Sequence, residues 1–143
     1  MRVSKNQIIF GGNYFTDILP VSRCWIAWDK IEGGFNFSKI ELAWTSFDKV
    51  SDIFRYCNHG GFIARGKNVK IHPTQKPVEL YDFCLTKFAE KGQKVLDTHL
   101  GSGSVAIASH YYGVDLTASE IDTKYFTDAM ERIKTHTAQI KLF

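Results

Sequence analysis

Cysteine is scarce in this chain, and the little there is forms no pattern. Cys24, Cys57 and Cys84 are odd in number, widely spaced and without a C-x-x-C pair, so neither a disulfide framework nor a zinc site is indicated. A reducing, cytoplasmic setting is the simple expectation. Long hydrophobic runs are missing too: no stretch approaches the roughly 18 to 20 apolar residues of a membrane span. The N-terminus lacks the charged-then-apolar pattern of a signal peptide. There is no internal repeat and no low-complexity segment. Acidic residues are absent from one long interval, Ile53 to Val78, which holds Arg55, Arg65, Lys67, Lys70 and Lys76 together with His59 and His72.

What remains is an ordinary globular composition. With 143 residues the chain is long enough for one domain with a real core. Eleven Phe, six Tyr and three Trp argue against disorder. The net charge of +3 is modest but unevenly spread. The acid-free tract, rich in Gly and Asn, suits a loop facing nucleic-acid phosphates through Arg65, Lys67 and Lys70. Composition alone serves a solvated loop equally well.

The first half reads as β-structure. Gln7 to Phe10, Cys24 to Trp28 and Leu42 to Phe47 are short apolar or aromatic runs, and Asp52 to Ile63 has room for another strand. From Pro77 the pattern changes. Val78, Tyr81, Cys84, Leu85, Phe88 and Ala89 follow with helical spacing, and Lys91-Gly92 is a plausible stop. A strand over Lys94 to Leu96, a helix over Val105 to Tyr112 and a strand over Val114 to Ala118 come next. Asp122 is placed to cap a last helix, with Tyr125, Phe126, Ala129, Met130 and Ile133 on one face as core. Strands alternating with helices indicate a parallel, doubly wound α/β sheet.

The most informative stretch is Val95-Leu96-Asp97-Thr98-His99-Leu100-Gly101-Ser102-Gly103-Ser104, together with Glu120. A short strand ends in a carboxylate, runs into a glycine turn and opens a helix. The next strand ends near a second carboxylate. Gly101 to Ala106 also matches the dinucleotide fingerprint G-x-G-x-x-G/A, with an acid about 20 residues on. Asp97 separates the two readings. A pyrophosphate wants N–H groups and the positive end of a helix, and a carboxylate four residues before the first glycine would repel it. The ammonium of S-adenosylmethionine would pair with Asp97, and its ribose hydroxyls with Glu120.

His72-Pro73-Thr74-Gln75-Lys76-Pro77-Val78-Glu79-Leu80 resembles the stretch just ahead of the cofactor loop in bacterial and phage DNA amino-methyltransferases, which methylate the exocyclic nitrogen of adenine or cytosine. The order and spacing of the two motifs match that family. Ile8 to Phe15 and Trp25 to Lys30 look like its later sheet strands. The resemblance implies a doubly wound, Rossmann-like methyltransferase sheet, incomplete in this chain, spanning residues 1–143 as one domain. Its later strands would lie in 1–52, a basic loop in 53–76 and the cofactor-binding half in 77–143.

By the same resemblance Asp97 pairs with the methionine ammonium, and Thr98, His99, Gly101, Ser102 and Gly103 form the turn. Glu120 holds the ribose and Ile121 packs on adenine. Thr74, Gln75 and Lys76 close over the methionine end, Lys76 meeting its carboxylate. Double-stranded DNA is the implied partner, in a restriction–modification or phage setting.

Two departures stand out. Pro-Phe commonly follows the aspartate in the family, where this chain has Thr98-His99. The family's catalytic tetrapeptide, Asp or Asn followed by Pro-Pro and an aromatic residue, is absent: the only prolines are Pro20, Pro73 and Pro77. By analogy with the fold, that tetrapeptide also ends the strand between those of Val95 and Ile8. The expectation is therefore a truncated product, half of a split enzyme, or a remnant completed by a second copy or another chain. A non-catalytic module binding S-adenosylmethionine or DNA is the alternative, and a nicotinamide-dependent oxidoreductase is the reading that Asp97 opposes.

Overall fold

The structure, a computed structural model, describes residues 3–31, 38–56 and 70–138. The chain divides into two compact units, residues 1–59 and 60–143. Among the described residues no helix is long and apolar enough to cross a membrane.

The first unit is a four-stranded sheet of β1 (Ile8–Phe10), β2 (Trp25–Asp29), β3 (Ile40–Thr45) and β4 (Asp52–Arg55), in the order β1-β3-β2-β4. The strands arise where aromatic and β-branched residues cluster, as expected. The sheet of this unit is mixed, which corrects only the expectation of parallel strands throughout. β3 runs antiparallel to both β1 and β2, and only β4 lies parallel to β2. Ten residues separate β2 from β3, and an antiparallel return suits so short a connection, because a parallel return needs a crossover of about a dozen residues or more.

Alternation on β2 buries Ile26 and Trp28, while the interior strand β3 buries Ala43, Trp44 and Thr45 in succession. Each indole N–H reaches a backbone carbonyl: Trp25 to Ser22 at 3.0 Å, Trp28 to Tyr56 at 3.1 Å and Trp44 to Pro20 at 2.9 Å. At Gly12 a Cβ would stand 2.5 Å from the Trp44 Cβ and 3.0 Å from its backbone N, so the close approach to β3 at that point requires glycine.

In the second unit, α1 (Val78–Phe88), β5 (Lys94–Asp97), α2 (Ser104–Tyr112), β6 (Asp115–Ala118) and α3 (Thr123–Thr137) follow the expected order. β5 and β6 pair in parallel with α2 as the crossover, which is the βαβ arrangement that the alternation predicts. Gly113, at a φ of 90°, ends α2, and Asp122 caps α3 by accepting the Tyr125 N–H at 2.9 Å. The core gathers Leu100, Val105 and Ala129, with Tyr81, Ala106, Leu116 and Ala118 packed against them.

The apolar stripe expected on α3 is divided. Ala129 is fully buried and Tyr125 and Ile133 are half-buried, but Phe126 and Met130 remain 43% and 47% exposed. The buried edge of α3 follows residues 125, 129, 132 and 133, so its contact line lies about one residue of helical rotation away from Phe126 and Met130.

Candidate functional site

Parallel pairing brings the two carboxylates to one end of the β5–β6 sheet. Asp97 pairs with Ala118 in register, and Glu120 follows two residues later. The ladder continues beyond the strands: the Ser119 N–H donates to the Asp97 carbonyl at 3.0 Å and the Leu100 N–H to the Ser119 carbonyl at 2.9 Å. The loop after β5 is thereby stitched to the loop after β6.

Glu120 holds the glycine turn. Its Oε2 accepts the Gly101 N–H at 2.8 Å and its Oε1 the Asp122 N–H at 3.1 Å. These bonds, the Asp122 one first, hold its carboxyl below the ordinary value of 4.5, with a smaller contribution from His72. Asp97 Oδ1 accepts the His99 N–H at 2.9 Å, and Thr98 Oγ1 lies 2.9 Å from His99 Nδ1. Gly101 and Gly103 adopt φ values of 56° and 75°, the left-handed region that favours glycine. A Cβ at Gly103 would also meet Ile133 of α3 at 2.9 Å.

Asp97, Thr98, His99, Gly101, Glu120 and Ile121 thus gather on the loops at one end of a two-stranded sheet. Ser102 is buried and turns its hydroxyl inward to within 3.1 Å of Ser104 Oγ. The segment carrying Thr74, Gln75 and Lys76 lies beside the same turn. The His72 ring would be 3.6 Å from a Cβ at Gly101, and it stands edge-on to Tyr125 with centroids 4.4 Å apart. Gln75 Oε1 accepts the Ile71 N–H at 3.0 Å, and the Lys76 carbonyl accepts from Ser104 Oγ at 2.7 Å.

Lys70 is exposed, whereas Arg65 and Lys67 lie outside the described residues. No group of three or more metal-ligating side chains occurs among the described residues. Three residues of this neighbourhood were given no site role by sequence reading: His72 and Ser104, which stand at the ends of the two motifs, and Arg132, which lies outside both. Arg132 was the most legible of them, since helical spacing from Ala129 and Ile133 puts it on the buried edge of α3.

An S-adenosylmethionine-type ligand fits this donor set. Two carboxylates stand on adjacent loops, Ile121 is fully exposed beside Glu120, and the backbone of the turn carries no side chain at Gly101 or Gly103.

Comparison with known proteins points the same way. A family profile described as DNA methylase, for the N6 and N4 enzymes, matches residues 20–131. The type II methyltransferase M.HpaI of Haemophilus parainfluenzae is 33% identical over 78 residues, covering 54% of this chain and 22% of that enzyme. This chain thus matches about a fifth of that curated relative. Among solved structures, the M1.HpyAVI–SAM complex superposes with a TM-score of 0.68 at 16% identity, covering 90% of this chain and 74% of the other. The cytosine-N4-specific PvuII DNA methyltransferase gives 0.59 at 13% identity, with 78% and 54% covered. At these identities the superpositions establish the fold.

Proposed function

This chain belongs to the N6/N4 DNA methylase family, and from that premise we propose that it forms the S-adenosylmethionine-binding part of an enzyme that methylates the exocyclic amino group of adenine or cytosine in double-stranded DNA. The observation that carries the reading is the pair of strand-end carboxylates around one glycine turn, with Glu120 bonded to the Gly101 N–H.

When bound, the cofactor supplies an electrophilic sulfonium methyl group. Asp97 accepts hydrogen bonds from its ammonium. Glu120 uses one lone pair on each oxygen for a backbone N–H and has another on each for the ribose hydroxyls. Ile121 offers its exposed side chain to the adenine face. Thr98, His99 and Ser102 complete the turn, and Thr74, Gln75 and Lys76 close the methionine end, the lysine toward its carboxylate. A dinucleotide pyrophosphate would meet the charge of Asp97 instead, which disfavours nicotinamide chemistry.

Amino methylation also requires an acceptor that holds the amino group, and an aromatic platform for the flipped base. The Asp/Asn-Pro-Pro-aromatic tetrapeptide that does this in the family occurs nowhere in the 143 residues. We therefore assign that function to a complementing polypeptide segment. Among the described residues β5 pairs only with β6, so its other edge offers unpaired backbone groups for such a strand. A non-catalytic cofactor-binding module is the alternative that a methyl-transfer assay separates from this reading. DNA is held by the basic tract of Arg65, Lys67 and Lys70, in the setting of a restriction–modification or phage enzyme.

Calorimetric titration of the folded chain with S-adenosylmethionine tests the proposal. Binding is expected, weakened in Asp97→Ala by about 1.5–3 kcal/mol, as for one lost charge-assisted contact. A folded chain without affinity, or a variant that binds like the parent, would sink it. Methyl transfer to DNA only when the tetrapeptide segment is supplied separates the enzyme from the module. Salt-sensitive DNA binding that survives replacement of Arg65, Lys67 and Lys70 together would remove the basic tract from the reading.

A further inference from the structure

Arg132 occupies a half-buried position on α3, between the fully buried Ala129 and the end of the helix. Its Nη1 donates to the Ser102 carbonyl at 2.7 Å and to Ser104 Oγ at 2.9 Å, with Ser102 Oγ at 3.4 Å. Ser104 Oγ in turn donates to the Lys76 carbonyl at 2.7 Å. The single hydroxyl proton of Ser104 is thereby committed, so Ser102 is the donor in the 3.1 Å contact between the two hydroxyls. One guanidinium nitrogen joins three pieces of chain: the glycine turn, the first residue of α2 and the segment that leads into α1.

Electrostatics alone would not put a cation there. Ser104 opens α2, and a positive charge at a helix N-terminus opposes the helix dipole. Burial lowers the pKa of the guanidinium, and Glu79 only partly opposes this. Nor is the side chain needed to fill space at Gly103, where Ala129 and Ile133 already pack. What arginine brings is a cationic nitrogen, Nη1, at the end of a long side chain, with donors for both the Ser102 carbonyl and the Ser104 hydroxyl. The turn is consequently clamped by two charges of opposite sign. Glu120 takes the Gly101 N–H at its entrance, and Arg132 takes the Ser102 carbonyl at its exit.

We propose that Arg132 is a positioning residue of the cofactor site, holding the Gly101–Gly103 turn in its binding conformation and coupling it, through Ser104, to the Lys76 segment. This rests on the reading of the turn as an S-adenosylmethionine site. Arg132 itself acts through the backbone of the turn and needs no contact with cofactor or DNA. Its loss loosens both sides of the site together.

The test combines calorimetric titration with S-adenosylmethionine and amide exchange of the ligand-free full chain, for the parent, Arg132→Met, Arg132→Lys, Ser104→Ala and the Arg132→Met/Ser104→Ala double variant. Arg132→Met is expected to weaken binding about ten- to a hundredfold. It is also expected to speed exchange at the Gly103 and Ile107 amides while leaving the amides of β2 and β3 unchanged. Arg132→Lys recovers part of the affinity, because an ammonium is also a cationic donor but sits on a shorter side chain. The double variant loses less than the sum of the single losses, as coupled groups do.

Parent-like affinity and parent-like exchange in Arg132→Met would overturn the proposal. So would strictly additive losses across Arg132 and Ser104. Should Arg132→Met fail to fold, Arg132→Lys and Ser104→Ala carry the same comparison. If the parent binds no S-adenosylmethionine, the proposed function fails while exchange at the turn still decides the role of Arg132.

Discussion

All three tryptophans fall in residues 1–59, and none in residues 60–143. In the first unit Trp28 and Trp44 are buried whole, and every indole nitrogen is tied to a backbone carbonyl. The second unit buries a run of small residues instead: Gly101, Ser102, Gly103 and Ser104 are all enclosed, and the charged groups stand on the loops around them. Large rigid side chains make a frame that tolerates little change. Small residues let backbone meet backbone closely, which frees N–H groups, carbonyls and carboxylates to define a binding turn. The first unit is built as a frame, and the second carries the proposed cofactor site.

Removing the ring of Trp44 should have the largest effect. Trp44→Ala is expected to destabilise the first unit by about 3–5 kcal/mol, read by denaturant unfolding of the remaining tryptophan fluorescence. Under conditions where this variant stays folded, S-adenosylmethionine affinity within about twofold of the parent (under 0.5 kcal/mol) keeps frame and site distinct. A larger loss would break the distinction.

Gly103→Ala probes the other side. A side chain at a φ of 75° is strained, and its Cβ would press on Ile133 at 2.9 Å. The expected cost is about 1–3 kcal/mol of stability, measured by thermal melting. Ile133→Ala in the same background should relieve the steric part and leave the backbone strain. Full recovery would show that the left-handed conformation matters little.

Glu120→Gln sharpens the comparison through pH. The folded carboxyl is held below its ordinary value of 4.5. The carboxylate form therefore stabilises the second unit above that pH, and the stabilisation fades as pH falls from 4.5 through the lower folded value. Acid titration of the glutamine variant, followed by circular dichroism, should show a flatter slope in that window. An unchanged acid limb would mean that the Gly101 and Asp122 bonds do not depend on charge.

The smallest change is expected at Ser109, whose buried hydroxyl has no partner among the described residues. Ser109→Ala should leave stability equal or raise it, by about 1 kcal/mol or less, since no bond is lost and alanine favours helix. A clear loss on thermal melting would reveal a partner for that hydroxyl.

Much of the second unit was legible in the chain itself. Asp122 as a cap, Gly113 as a helix end and Asp97 at a strand end are local signals that follow from short-range sterics and hydrogen bonding, and the structure bears out each of them. The apolar stripe of α3 was only half right. Periodicity shows that residues share a face, but which edge of that face meets the core depends on where the helix docks. Phe126 and Met130 have the right spacing and stay exposed. In the first unit, runs of Trp, Ile and Phe mark strands without fixing their direction. The antiparallel place of β3 between β1 and β2 follows from connections that no window of residues contains.

The order of elements, the glycine turn with an acid on either side and membership in a methylase family were determined by the sequence alone, because each rests on residues close together or on a motif as written. Only the tertiary structure decided that Glu120 would reach Gly101 across 19 residues, and that Arg132 would join Ser102, Ser104 and, through Ser104, Lys76. Those bonds exist because parallel pairing of β5 with β6 and the docking of α3 on Gly103 bring distant groups within about 3 Å, the range at which a hydrogen bond acts.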